Sequence, residues 1–229
     1  MTQILILGGS VAGLASAVAL ADGRRRITIL EKDAPPAPET PAAAFDHWER
    51  RGVAQHRQSH AFLARLHRLL SDRAPGLLES LLKHGAEPMR FPEFAAAMLP
   101  DAVFLPEDDE ITLLACRRIT FEWVLRRYVE ALPGVSFEPG AAVDGLIVEG
   151  AASAPPRVVG VLQREGDGAP RERRCDWVID ALGRRSRVGR WLAEGGARPV
   201  RQESEPCGIF YSSRFYRVRP EAEMPRLEG

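Results

Sequence analysis

From residue 3 to residue 33 the apolar positions fall into three blocks. Residues 4–7 form a continuous apolar run, the pattern of a strand buried on both faces. The run breaks at Gly8-Gly9-Ser10 and resumes as Val11, Leu14, Ala15, Val18 and Ala19, at helical spacing and with many strong helix formers. Gly23 is a stop, and residues 27–30 repeat the buried-strand pattern. Strand, glycine turn, helix and strand in that order predict a right-handed βαβ unit with parallel pairing.

Beyond it the pattern is more broken. Residues 34–44 read as a Pro-rich connector, unsuited to a central strand or a helix interior. A segment dense in Arg, His and Gln follows: Trp48, Arg50, Arg51, Gln55, His56, Arg57, Gln58 and His60. Ser59 is expected to cap a helix to about Ser71, with Phe62, Leu63, Leu66, Leu69 and Leu70 on one stripe. Pro75 opens a second helix that Gly85 closes. Extended pieces are expected at 95–99, 103–105 and 111–115, with the acidic run 107–110 at a solvated hairpin tip. Residues 120–132 read as an amphipathic helix ended by Pro133-Gly134, and 135–137 as a short strand. Hairpin strands are expected at 143–148 and 158–163 around Pro155-Pro156, then a turn at Gly166-Asp167-Gly168 and a charged strand to Arg174. Residues 177–181 look like another buried strand, followed by a short helix to Leu192 and an aromatic-rich strand at 209–218. Trp177 and Trp191 are expected in the core, and residues 219–229 carry no core pattern.

Composition adds limits. The 229 residues are 45% hydrophobic and 27% charged, the balance of a soluble globular chain. The 31 basic and 31 acidic residues cancel, so nothing global points to nucleic acid or an anionic membrane surface. Cys116, Cys175 and Cys207 are scattered without metal-ligand spacing, an odd and sparse set suited to a reducing cytosol. No metal site is expected. No apolar run approaches membrane-spanning length and the start of the chain has no leader pattern, so a cytoplasmic protein is expected.

The first βαβ unit carries the candidate chemistry. Gly8 permits a tight turn from strand to helix, and Gly13 permits close packing of that helix. The helix N-terminus offers N–H groups and partial positive charge to a pyrophosphate. Glu31, eighteen residues beyond Gly13, stands where a carboxylate accepts hydrogen bonds from a ribose diol. Ser10 occupies the place of the second glycine in G-x-G-x-x-G; it is small, and its hydroxyl is able to hydrogen-bond the pyrophosphate at some loss of affinity. The plainer alternative is an ordinary βαβ unit whose glycines only turn the chain.

Five stretches together resemble the FAD-dependent monooxygenases of the aromatic-hydroxylase type, within the glutathione-reductase-like superfamily. GGSVAGLASAVAL with LEKD resembles the fingerprint that holds the ADP part of FAD. RRGVAQHRQSHAFLARLHRLL resembles a segment leading into the flavin region in a bacterial branch, and RITFEWVLRRYVEALPGVSF an arginine-led helix. VDGL resembles a segment whose backbone touches adenine, and WVIDALGRRSRVGRWL the D-A-T-G-R-x-S-R motif near the pyrophosphate. The resemblance implies an α/β, Rossmann-like FAD-binding domain with a parallel central sheet, a β-meander and an inserted, incomplete β-rich substrate layer. Residues 1–60 and 117–195 would form the nucleotide part, and 61–116 and 196–229 the substrate layer.

The resemblance also implies site residues. Gly8, Ser10 and Gly13 would hold the pyrophosphate, with Gly9 and Ala12 also cofactor-binding, Glu31 would hold the adenosine ribose, and Lys32 and Val143 would border the adenine. Arg118 would touch FAD from its helix start, and Asp180 and Gly183 would line the nucleotide, with Leu182 replacing a common Thr. Gln55 and His60 are flavin- or substrate-facing candidates. Each has a structural alternative: Arg118 on a helix surface beside Arg126 and Arg127, Asp180 as a cap for the Arg187 helix, Gln55 and His60 as a polar pair. His47, His67 and His84 are expected to face solvent.

The implied activity is an NAD(P)H-dependent flavin monooxygenase acting on a small organic substrate, with FAD as cofactor and NADPH or NADH as reductant. No side-chain nucleophile or acid–base pair is nominated. Relatives continue into a G-D-A-x-x motif that is missing here, so the chain is expected to be an N-terminal half. Two alternatives stay open. One is a non-catalytic FAD-binding half that self-associates or needs a complementary C-terminal half; the other is a reductase or dehydrogenase of the same superfamily.

Overall fold

Ile4, Leu5, Ile6 and Leu7 are all buried, at the centre of β1 (Thr2–Leu7). They can be buried on both faces because β1 is an inner strand of a sheet covered on both sides. The structure, a computed structural model, describes residues 1–33, 38–50, 52–53, 55–99, 101–150, 155–210, 212–216, 219 and 221. It separates into two units, Met1–Ala54 with Glu122–Gln202, and Gln55–Phe121 with Glu203–Gly229.

In the first unit β1 leads through Gly8-Gly9-Ser10 into α1 (Val11–Leu20), and Gly23, at φ +72°, turns the chain into β2 (Arg25–Glu31). A Cβ on Gly13 would lie 1.9 Å from the Gly8 carbonyl oxygen and 3.2 Å from Ile6 Cγ2, so only glycine lets α1 lie this close to β1. Gly134, at φ +78°, then sets β6 (Val135–Pro139) beside β2. A fourth strand, β10 (Trp177–Asp180), pairs with β1 on the other side. The four form one parallel sheet in the order β10-β1-β2-β6.

An antiparallel sheet of β7 (Ala141–Glu149), β8 (Arg157–Glu165) and β9 (Arg171–Arg174) covers one face. Leu5, Leu7 and Leu30 meet Ala141 and Val161 in that layer, with Val143, Leu146, Val178 and Val188 packed around them. A polar seam runs beside this core: Gln163, fully buried, donates to Glu138 at 3.0 Å, and Arg173 pairs with the same carboxylate. Burial pushes the Glu138 carboxyl up, but the hydrogen bonds from Arg173 and Gln163 and the Arg173 charge outweigh it and hold it below the usual range. Helix α7 (Val188–Glu194) buries Trp191, as expected.

The second unit holds β3 (Ser59–Phe62), β5 (Thr112–Arg117) and β4 (Glu87–Arg90) as an antiparallel sheet with β5 central. Helices α3 (Ala64–Arg73), α4 (Pro75–Lys83) and α5 (Phe91–Met98) accompany it, burying Leu70, Leu77, Leu81 and Ala95. Phe62 and Phe121 pack with ring centroids 4.4 Å apart. Helix α6 (Arg118–Glu130) starts in this unit and continues into the first from Glu122.

Several expectations are corrected. Ser59 begins a strand: Ser59–Phe62 alternates in exposure and pairs with β5, so the helix begins only at Ala64. Residues 95–98 are helical, because Pro92 sets the first turn and Ala favours helix. Residues 103–105 lie in no strand, and the acidic run, solvated as expected, sits on a 3-10 turn (Pro106–Glu110) instead of a hairpin tip. The second part of the Pro-rich connector is α2 (Pro41–His47), allowed because Pro41 stands in the first turn and Thr40 caps Ala43 N at 3.1 Å. Residues 34–37 of that connector, Arg51, and residues 151–154 of the hairpin turn lie outside the described residues. Trp177 is 66% exposed rather than core, because among the described residues β10 is the edge strand of its sheet. Residues 209, 210 and 212–216 form no strand, having no strand to pair with among the described residues; Tyr211, Arg217 and Val218 lie outside them.

Candidate functional site

Two glycine turns meet at the carboxyl ends of the parallel strands. Leu7, the last residue of β1, is in register with Asp180, the last of β10, and Ala181 N donates to the Leu7 carbonyl at 2.9 Å. Gly8, at φ +104°, donates its N–H to the Leu30 carbonyl, and a Cβ there would lie 2.6 Å from the Ala181 oxygen. β2 and β6 extend the sheet to one side of β1 and β10 to the other. The order therefore reverses between β1 and β10, where open α/β sheets bind ligands beyond their strand ends.

Around the first turn the side chains are tightly organised. Glu31 is buried; its Oε2 accepts from Gly9 N at 3.0 Å and from Arg50 Nη2 at 3.0 Å, and its Oε1 accepts from Asp33 N at 3.0 Å. A carboxylate has about four acceptor positions. Among the described residues three are engaged, leaving one on Oε1 for a further donor. Ser10 Oγ donates to Glu122 Oε2 at 2.8 Å. The hydroxyl proton expected to reach a pyrophosphate is thus engaged with a carboxylate. Helix α1 has no side-chain cap bond and no acidic residue in its first turn, so its N-terminal N–H groups keep an anion-friendly end, with Ala12 exposed there.

Arg50, Asp33 and Glu122 join the site without having been expected among its residues. Arg50 is 1% exposed in its side chain and bonds Glu122, Asp33, Glu31 and the Gly9 carbonyl, with its guanidinium 5.1 Å from the Trp48 ring centre. Burial works against its charge, but Glu122 and Glu31 outweigh that and raise its pKa further. Burial, then the Glu31 charge, raises the Asp33 carboxyl against the pull of Arg50. The one sequence signal for Glu122 was a carboxylate set between Phe121 and Trp123 on the inner stripe of a helix. The indole N–H of buried Trp48 has no partner among the described residues.

The second turn has its own network. Asp180 is exposed and accepts from Leu182 N at 3.0 Å and Ser186 Oγ at 2.5 Å; Ser186 Oγ accepts from Val188 N at 3.1 Å, the first residue of α7. Asp180 therefore braces the turn and, through Ser186, the helix start. Gly183, at φ +75°, has open space where a Cβ would point. Lys32 is exposed, with its Cε 3.7 Å from where a Cβ on Gly52 would stand. Val143 packs on the core beside a bulge in the β7–β8 ladder.

Gln55, His60 and Arg118 belong to the second unit. Gln55 is exposed; half-buried His60 rests Nδ1 on the Gln58 carbonyl at 3.2 Å and stacks on Phe62; Arg118 N donates to the same carbonyl at 2.9 Å. His47 is exposed, while His67 and His84 are half-buried. Among the described residues no group of His, Cys, Asp and Glu is placed to hold a metal, and no helix is long and apolar enough to cross a membrane.

Strand order and paired turns define a Rossmann-type α/β fold. Solved structures share it. The myxobacterial chondrochloren halogenase CndH, an FAD-dependent halogenase, superposes with a TM-score of 0.56 at 22% identity, over 82% of this chain and 39% of that one. Thermovibrio ammonificans THI4 gives 0.54 at 16% identity, over 86% and 64%. The p-nitrophenol 4-monooxygenase PnpA of Pseudomonas putida DLL-E4 gives 0.50 at 18% identity, over 81% and 42%. At these identities the likeness is one of fold. In sequence the chain is 31% identical over 231 residues to Protein Rv3254 of Mycobacterium tuberculosis, covering 93% of this chain and 44% of that protein. The chain thus spans less than half the length of that curated relative. No protein-family model matches.

Proposed function

We propose that the chain is the FAD-binding part of an NAD(P)H-dependent flavin monooxygenase acting on a small organic substrate. The observation that carries this is the switch point between β1 and β10, where two glycine turns, an open helix N-terminus and a one-acceptor Glu31 converge. The residues fit the nucleotide: the α1 end suits a pyrophosphate and the remaining Oε1 position suits a ribose hydroxyl. Lys32 and the Val143 backbone are assigned to the adenine, Asp180 and Gly183 to the nucleotide side, and Arg118, Gln55 and His60 to flavin or substrate. FAD, when bound, supplies the redox chemistry, while the protein binds and orients it and excludes water. The fold shared with a halogenase and a monooxygenase supports the oxidoreductase class. With 44% of its curated relative covered, complete turnover is assigned to a longer protein or to a complementary half.

Reconstitution tests the reading. The purified chain, incubated with FAD and desalted, should retain a bound-flavin visible spectrum. A chain that takes up no FAD yet binds NADH would overturn the FAD assignment. NADH and NADPH oxidation by the longer protein, with product analysis, separates a monooxygenase from a reductase.

A further inference from the structure

Arg50 lies outside the glycine turns and strand ends, yet every nitrogen of its guanidinium is engaged at the site. Nε donates to Glu122 Oε1 at 2.9 Å, Nη1 to Asp33 Oδ2 at 3.0 Å, and Nη2 to the Gly9 carbonyl at 3.1 Å and Glu31 Oε2 at 3.0 Å. Two of these acceptors, Gly9 and Glu31, belong to the parts assigned to the nucleotide. A third, Glu122, in turn holds the Ser10 hydroxyl. One buried fork therefore ties the turn, at Gly9 and through Ser10, to the ribose carboxylate. Three carboxylates pair with this one guanidinium, whose charge offsets their mutual repulsion.

We propose that Arg50 is the positioning residue of the nucleotide site, setting Glu31 and the Gly9–Ser10 turn in one fixed relation so that Glu31 presents its last acceptor to the adenosine ribose. The inference rests on the FAD reading. An arginine is needed because a lysine is a point donor that cannot reproduce a planar fork with separate partners.

The test uses the whole chain and two probes, ADP and 2′-deoxy-ADP, by isothermal titration, with FAD binding measured beside them. The wild type should prefer ADP by about tenfold or more, the value of one charge-assisted hydrogen bond to the ribose. In Arg50→Lys that preference should fall to near unity, while affinity for 2′-deoxy-ADP changes much less. Equal weakening for both probes would mean a purely structural role and would overturn the inference. Should Arg50→Lys fail to fold, Glu122→Gln carries the test: a reduced preference for ADP supports the inference, and an unchanged one overturns it. A wild type that binds FAD without preferring ADP overturns this inference alone. A wild type that binds no FAD overturns the nucleotide reading and this inference with it.

Discussion

At the scale of single residues, the site is a matter of which lone pairs and protons are already engaged. Glu31 keeps one acceptor position, and a hydrogen bond to a charged group contributes about 1.5–3 kcal/mol. Glu31→Ala should therefore weaken FAD binding about tenfold to a hundredfold, measured by fluorescence titration; an unchanged dissociation constant would remove Glu31 from the site. Gly13 is a second such residue. A Cβ there would meet the Gly8 carbonyl oxygen at 1.9 Å, a backbone atom with nowhere to retreat. Gly13→Ala should cost at least about 1–3 kcal/mol in urea unfolding, the range of overpacked cores, and should weaken FAD binding as α1 is displaced. Cys116 differs again: burial pushes its thiol up to about 11. At neutral pH iodoacetamide should label exposed Cys207 first and leave Cys116 unmodified until denaturant is added.

At the scale of elements, the parallel and antiparallel sheets of the first unit are joined by apolar packing and by the Glu138 seam. Because the folded state holds Glu138 below its ordinary range, its contribution is fully present above that range, about pH 4.3, and is lost as pH falls through the lowered value. Arg173 and Glu138 are 28% and 33% exposed, so solvent screens the pair and the term is smaller than for a fully buried one. Arg173→Met should lower stability at neutral pH and leave a shallower acid limb in unfolding curves recorded by circular dichroism. An acid limb identical to the wild type would show that the seam carries no charge-dependent stability.

At the scale of the whole molecule, exposed aromatic and aliphatic side chains stand out in the second unit. Ile209 is 62% exposed, Phe210 89% and Tyr216 76%. Contiguous exposed apolar surface marks an interaction site or an aggregation hazard. We predict that the chain by itself self-associates in sedimentation velocity, and that it does not couple NADPH oxidation to hydroxylation without the rest of a longer protein or a complementary half. A stable monomer that hydroxylates a product would refute both statements.

What the sequence determined was local. The β1-α1-β2 unit, the Pro75 and Gly85 ends of α4, the Gly134 turn and the β7–β8 hairpin were legible because each follows from near-neighbour periodicity and from glycines with positive φ. The place of Glu31 was legible for the same reason, since the unit's own length carries it to the end of β2. Tertiary structure decided what depends on distant partners. Residues 59–62 are a strand because β5, more than fifty residues later, offers a ladder that outweighs the helical stripe after them. The strand propensity of 209–218 has no such partner among the described residues. Trp177 is exposed against expectation because an edge strand and an inner strand share one apolar pattern. The site followed the same division. Its glycines and Glu31 announce themselves by spacing, but Arg50 and Glu122, 72 residues apart, have meaning only once folding brings both to Gly9 and Ser10. A charge in a sequence says nothing of its burial or its counter-charges, and both are properties of the packed chain.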